Sequence, residues 1–287
     1  MRTLSSFGII LAFLTFSSPA WAWGDRGHRM IADLAYERLT PHARAAVDRL
    51  TSGDVTASPG CGVNSFSDAS VWSDCVRHFP SYRNQSTWHY DDIPLCGVAS
   101  YAEYCAGGNC ATAAIARADR ALRENRGSPR EQARALARLV HFVGDIHQPL
   151  HATDNADRGG NKIRIRLDGI ADGASPPANL HALWDTLLVD AAIGTDTYAA
   201  VSTLRALGYS NAHAWSAGDV QSWIAETRRL GVTLAYGSLP VQVSCGAAPT
   251  EPERVDRRYV EAAVPAVRQQ LAKAAVRLAS LLNAIYP

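Results

Sequence analysis

The chemistry-bearing residues crowd into one run, His141-Phe142-Val143-Gly144-Asp145-Ile146-His147-Gln148-Pro149-Leu150-His151. His141 and Asp145 stand four apart, so on a helix their side chains reach one point in space. Pro149 ends or bends that helix and lets His151 swing back toward the same face. A second pair, His181 and Asp185, repeats the spacing. Imidazole nitrogen and carboxylate oxygen together form a donor set suited to zinc. Either pair alone reads as a hydrogen bond on a helix surface. Two pairs, with an extra histidine after a helix-ending proline, read as a metal centre. His147 lies about 240° round the helix from His141 and cannot join that site; its expected part is a supporting hydrogen bond. His42, His78 and His213 have no ligand-like company and read as solvent-facing or packing residues.

Three further segments set a histidine or aspartate near a tryptophan: Trp23-Gly24-Asp25-Arg26-Gly27-His28, Trp72-Ser73-Asp74-Cys75-Val76-Arg77 and Trp88-His89-Tyr90-Asp91-Asp92. Each is weak singly, because such tryptophans more often fill a core. The elements that must position all these residues are mostly helical. Apolar periodicity predicts helices over 26–39, 41–51, 111–126, 129–150, 178–192, 217–237 and 251–284, with one more near 69–79. Thr40-Pro41 and Ser128-Pro129-Arg130-Glu131 are start signals, the second a capping box. Pro265 should kink the last helix. Lys162–Leu167 alternates strictly and predicts a short strand or hairpin near 160–169. The Gly-, Ser-, Pro- and Cys-rich stretch 52–110 predicts long stapled loops. With 287 residues, 47% of them hydrophobic and 19% charged, the chain can bury a large core. The expectation is one mainly α domain.

Residues 1–22 read as an export signal. Arg2 gives the positive start, Phe7–Phe16 a mostly apolar core, and Ala20-Trp21-Ala22 the small-x-small cleavage pattern. The apolar run is about half the ~20 residues that span a bilayer. A cut after Ala20, with Ser18 as the other small residue, fits the pattern as well. Loss of Arg2 from 28 Lys+Arg leaves them equal to the 27 Asp+Glu. A basic stripe for nucleic acid is therefore disfavoured, and any charge that meets phosphates must come from elsewhere. Six cysteines, all after residue 22, fit three disulfides in an oxidising compartment, although six allow fifteen pairings.

In this order, the five segments closely resemble the zinc-dependent nuclease family of the fungal nuclease S-one and P-one type, which includes plant nuclease I. The resemblance spans the chain from Trp23 through Asp185 into the C-terminal helices, so the domain would be 23–287. It implies three zinc ions on nine residues. One would take Asp74, His89, His141 and Asp145; a second His151, His181 and Asp185. The third would take His28, Asp145 as a bridging carboxylate, and the α-amino nitrogen and carbonyl oxygen of Trp23. That last pair requires cleavage between Ala22 and Trp23. The resemblance also implies disulfides Cys105–Cys110 and Cys96–Cys245, which leave Cys61–Cys75.

The family mechanism implies hydrolysis of DNA and RNA at the P–O3′ bond to 5′-phosphorylated products, with 3′-mononucleotides dephosphorylated. A zinc-activated water attacks, and another zinc stabilises the leaving 3′ oxygen. By ligand count, six positive charges face three carboxylates, so a neutral protein can still focus phosphate into one cleft. Asp92 would orient the attacking water or contact the base, and Arg77 would steady the transition state. Tyr90 would stack a base and Asn161 would lie near the substrate. Unpaired strands are the favoured partners, with double-stranded DNA also open. The expected protein is an exported monomer, secreted or periplasmic, without stable membrane association. The rival reading is a zinc-dependent phospholipase C of the bacterial type, which shares the all-α three-zinc site. The Trp-His-Tyr-Asp-Asp segment and the Gly-Gly-Asn loop look more like the nucleases. A non-catalytic zinc-binding protein would have no need of Asp92 or Arg77.

Overall fold

The computed structural model describes residues 23–52, 60–170 and 177–287. The expected export segment lies outside them. Helices dominate, as the periodicity predicts. Helix Gly24–Tyr36 begins and ends slightly earlier than 26–39, and Pro41–Thr51 falls as read. Its Thr40 cap accepts from the Ala43 N–H at 3.1 Å, which satisfies one of the amides a helix start leaves unpaired. The helix expected near 69–79 is two short pieces, Phe66–Ala69 and Trp72–Val76, followed by a 3-10 stretch over Pro80–His89.

The helix that carries the first His–Asp pair runs Pro129–Asp145. Its capping box forms: the Ser128 side chain accepts from the Glu131 N–H, and the Glu131 carboxylate accepts from the Ser128 N–H at 2.7 Å. It stops short of the expected residue 150. The His147 and Gln148 amides donate to the Gly144 and Asp145 carbonyls at 3.0 and 2.9 Å, a tightened last turn ahead of Pro149. That early stop turns His151 back toward the helix. The helix packs against Ala111–Arg123 and Pro41–Thr51, burying Leu136, Leu139, Val140 and Val143.

The long C-terminal helix, Arg257–Ile285, runs unbroken through Pro265. It packs on Gly24–Tyr36 and on Thr197–Ser216, a helix that the periodicity does not predict. The reason is its narrow buried face of Ala200, Leu204 and Gly208, one residue per turn. At Gly208 an added Cβ would lie 3.4 Å from Val276. Only the Asp196 cap, accepting from the Ala199 N–H at 3.0 Å, marks its start.

The strand near 160–169 is Ile165–Asp168, and it does not form a hairpin. Its partner is Glu253–Asp256, aligned in parallel with Ile165 opposite Glu253 and Asp168 opposite Asp256. That strand takes residues assigned to the last helix, which therefore starts at Arg257 rather than 251. Disulfides join Cys61 to Cys75, Cys96 to Cys245 and Cys105 to Cys110. The result is a mainly α single domain. No helix among the described residues is long and apolar enough to cross a membrane.

Candidate metal centre

Several elements aim their side chains at one buried region. The Pro129–Asp145 helix supplies His141 and Asp145 from its last turns, and the first helix supplies His28. His28 can approach because residue 144 is glycine: a Cβ there would lie 2.8 Å from the His28 Nδ1. The His28 ring instead stacks on His141, centroids 4.2 Å apart. The Trp23 indole N–H donates to the Gly144 carbonyl at 2.9 Å and ties the start of the first helix to the same spot.

Donor atoms fall into three buried groups: His28, His141 and Asp145; Asp74, His89 and His141; His151, His181 and Asp185. Within each group they lie inside 4.8 Å of one another. Asp145 faces two of these groups. Its Oδ2 lies 3.0 Å from His89 Nδ1 and 3.2 Å from His141 Nε2, and its Oδ1 lies 3.2 Å from His28 Nε2. Asp74 Oδ1 lies 3.6 Å from His89 Nδ1, with the Arg77 guanidinium on its other side at 3.2 Å.

Backbone carbonyls fix three of the rings. His141, His151 and His181 each donate Nδ1–H at 2.6 Å, to the carbonyls of Ser70, His89 and Gly159. In each neutral ring that leaves the lone pair on Nε2, the arrangement typical of metal-binding histidines. Asp185 sits in a π-helical turn, Leu183–Leu187, between Leu180–Ala182 and Leu188–Ile193. Such turns recur at functional sites because they re-aim a side chain. Its Oδ1 accepts from Gln148 Nε2 at 2.7 Å, while its Oδ2 lies 3.2 Å from His181 Nε2.

The donor atoms are short of partners. Among the described residues, thirteen buried side-chain nitrogen or oxygen atoms have no hydrogen bond, and six belong to this centre. They are both ring nitrogens of His28, one oxygen each of Asp74, Asp145 and Asp185, and the His151 Nε2. Buried polar atoms are normally paired, and orphans in such number at one place call for a ligand. Metal ions on these residues would supply it. The charges also conflict. Burial alone would raise the Asp145 carboxyl, but the His141 charge and the close His141, His28 and His89 rings hold it well below the usual carboxylate range. Burial pushes Asp185 up to about 6 and His151 down to about 3. Burial likewise opposes the His141 imidazolium, yet the Asp145 and Asp74 carboxylates bring it to about 9.

Beside the centre opens a cleft of about 400 Å³ lined by His89, His151 and His181 together with Arg77, Tyr90, Asp92, Asp154, Arg158 and Asn161. Asp92 is half-buried, and burial with the neighbouring charges of Asp154, Asp91 and Asp157 raises its carboxyl to about 7. Asn161 uses its Nδ2 to donate to the Arg158 carbonyl at 2.8 Å. The expected histidine and aspartate ligands thus fall in these groups and Arg77, Tyr90, Asp92 and Asn161 line the cleft beside them, while the Trp23 carbonyl accepts from the Gly27 N–H at 3.1 Å. His147 is buried and stays out of the three groups, as its spacing implies; it donates to the Val143 carbonyl at 2.7 Å and accepts from Arg277 at 2.9 Å. His42, His78 and His213 are exposed. Gln148, which holds Asp185, escapes a sequence reading because nothing distinguishes it from a surface glutamine. Arg158 escapes because its place depends on a loop fold.

Fold and site together define a mainly α protein with a candidate multinuclear metal centre beside an open cleft. The S1/P1 nuclease family model matches residues 23–287, and the chain belongs to that family, whose members hydrolyse phosphodiester bonds of nucleic acids. It is 30% identical to Endonuclease 2 of Arabidopsis thaliana, covering 97% of this chain and 96% of that one. It is 25% identical to Nuclease S1 of Aspergillus oryzae, over 96% of both chains. With Nuclease P1 of Penicillium citrinum the identity is 28%, over 92% of this chain and 98% of the other.

Proposed function

We propose that this protein is an exported, zinc-dependent nuclease that hydrolyses both DNA and RNA to 5′-phosphorylated products and also dephosphorylates 3′-mononucleotides. The observation that carries this reading is the division of Asp145 between two buried histidine groups beside a cleft lined by Arg77, Tyr90 and Asp92. Asp74, His89, His141 and Asp145 would hold one zinc, and His151, His181 and Asp185 a second. His28, Asp145 and the Trp23 α-amino nitrogen and carbonyl oxygen would hold the third. Cleavage between Ala22 and Trp23 frees that amine. When bound, zinc lowers the pKa of a coordinated water toward ~7 and offsets charge on the phosphoryl group.

The protein's own groups do the rest. Asp92, at the cleft edge, accepts a hydrogen bond from the attacking water and sets its line of approach. Arg77 presents planar N–H donors to a phosphoryl oxygen while its other side rests on Asp74. Tyr90 offers a ring face to an unpaired base, which any base can use, so single strands of either sugar are the main substrates. Asn161 lines the same cleft and would contact the substrate through its amide. The protein acts as a monomer, free of membranes, in the periplasm or outside the cell.

The test is digestion of single-stranded DNA and RNA by protein beginning at Trp23, with chelator, then with zinc restored, reading the product ends. Chelator-sensitive, zinc-restored release of 5′-phosphates from both polymers is expected. No cleavage by protein shown to hold zinc would contradict the reading. So would hydrolysis of phosphatidylcholine at a comparable rate.

A further inference from the structure

The cleft is lined by two arginines, and their surroundings differ. Arg77 leans on Asp74 and so belongs to the centre. Arg158 is exposed and makes no ion pair among the described residues. It stands on a loop held with unusual thoroughness. The Asp154 carboxylate accepts from the N–H groups of Ala156, Asp157 and Gly159 at 3.0, 3.2 and 2.8 Å. The Asp157 carboxylate accepts from the Gly160 N–H and the Tyr236 hydroxyl at 2.7 and 2.8 Å. The Gly159 carbonyl takes the His181 Nδ1–H, and a Cβ on Gly159 would run into the Leu150 carbonyl. The loop therefore cannot shift without disturbing a ligand of the second group.

Within it, Arg158 has φ +63°, a conformation that glycine adopts freely and arginine rarely. A positive-φ backbone under an exposed side chain with no ion pair among the described residues, on the lining of a cleft, points to a function for that side chain. A guanidinium is the planar, permanently charged group that matches two phosphate oxygens. The phosphate being cut belongs at the donor atoms beside Arg77, which leans on Asp74. Arg158 lines the same cleft from a different segment, the loop whose Gly159 carbonyl holds His181. We propose that Arg158 selects for polymer: its guanidinium holds a phosphodiester of the bound strand other than the one being hydrolysed. This rests on the nuclease reading and adds to it a reason for preferring long strands over short ones.

The test compares a single-stranded oligonucleotide of about ten nucleotides with a dinucleoside monophosphate, whose single phosphate is the scissile one. Arg158→Asn removes the charge but tolerates positive φ; Arg158→Lys keeps the charge. Loss of one phosphate contact should lower the long-to-short ratio of kcat/KM about tenfold in the Asn variant, and reduce the salt dependence for the oligonucleotide by about one unit of slope. The Lys variant should recover most of the ratio. A partly misfolded sample lowers both substrates alike and leaves the ratio intact. An unchanged ratio and salt slope in Arg158→Asn would overturn the proposal. Failure of the wild-type protein to cut either substrate would instead overturn the nuclease reading.

Discussion

The two His–Asp pairs share one spacing and do different things. His141 and Asp145 lie in a regular α-helix, and both Asp145 oxygens face histidine nitrogens, Oδ2 toward His89 and His141 and Oδ1 toward His28. His181 and Asp185 span a π turn, and one Asp185 oxygen is taken by the Gln148 amide. On the proposed ligand set Asp145 would bridge two ions, and Asp185 would bind through Oδ2 alone. Their electrostatics follow: Asp145, among histidines, is held low, and Asp185, mainly desolvated, is raised to about 6. The same i, i+4 spacing thus leaves the two carboxylates with different neighbours.

Removing each carboxylate should expose this difference most strongly. Asp145→Asn should cost at least about a thousandfold in kcat/KM, roughly 4 kcal/mol, and should deplete two groups of metal. Asp185→Asn should deplete one, as read by metal analysis of the purified variants. Equal metal loss from both would break the contrast.

A smaller effect is expected one step out. Gln148→Leu frees Asp185 to rotate, and should weaken metal binding at the His151–His181–Asp185 group by about 10- to 100-fold. Chelator competition should find the groups at Asp145 unchanged. A uniform loss across all three would mean that Gln148 supports the fold rather than one ligand.

The smallest effect concerns Asp92, a carboxylate raised to about 7 by burial and by Asp154, Asp91 and Asp157. Its folded pKa lies above its unfolded value, so its favourable contribution is complete below about 4 and is lost as pH rises through about 7. Metal-free protein should therefore lose stability over that window, and Asp92→Asn should flatten the slope in urea titrations across it. An unchanged slope in the variant would place the pH dependence elsewhere.

Much of this was legible from residue order. Thr40-Pro41 and Ser128-Pro129-Arg130-Glu131 mark helix starts because caps are local chemistry, and His141, Asp145, His181 and Asp185 declare themselves by spacing. What escaped depends on distant partners. Glu253–Asp256 forms a strand only because Ile165–Asp168 lies beside it, and its sequence reads equally as a helix start. Thr197–Ser216 buries too thin a stripe to show periodicity. The mutual approach of His28 and His141 depends on Gly144 lacking a Cβ, and glycine inside a helix otherwise reads only as a weak point. Gln148 and Arg158 gain their meaning from what lies opposite them in space.

The central claim is that three zinc ions share these nine residues with Asp145 common to two. Diffraction from crystals of the protein beginning at Trp23, recorded at the zinc absorption edge, tests it directly. The account predicts three anomalous peaks, one in each group, with Asp145 between two of them and the Trp23 amine at one. Peaks elsewhere, or an Asp145 that touches a single ion, would contradict it.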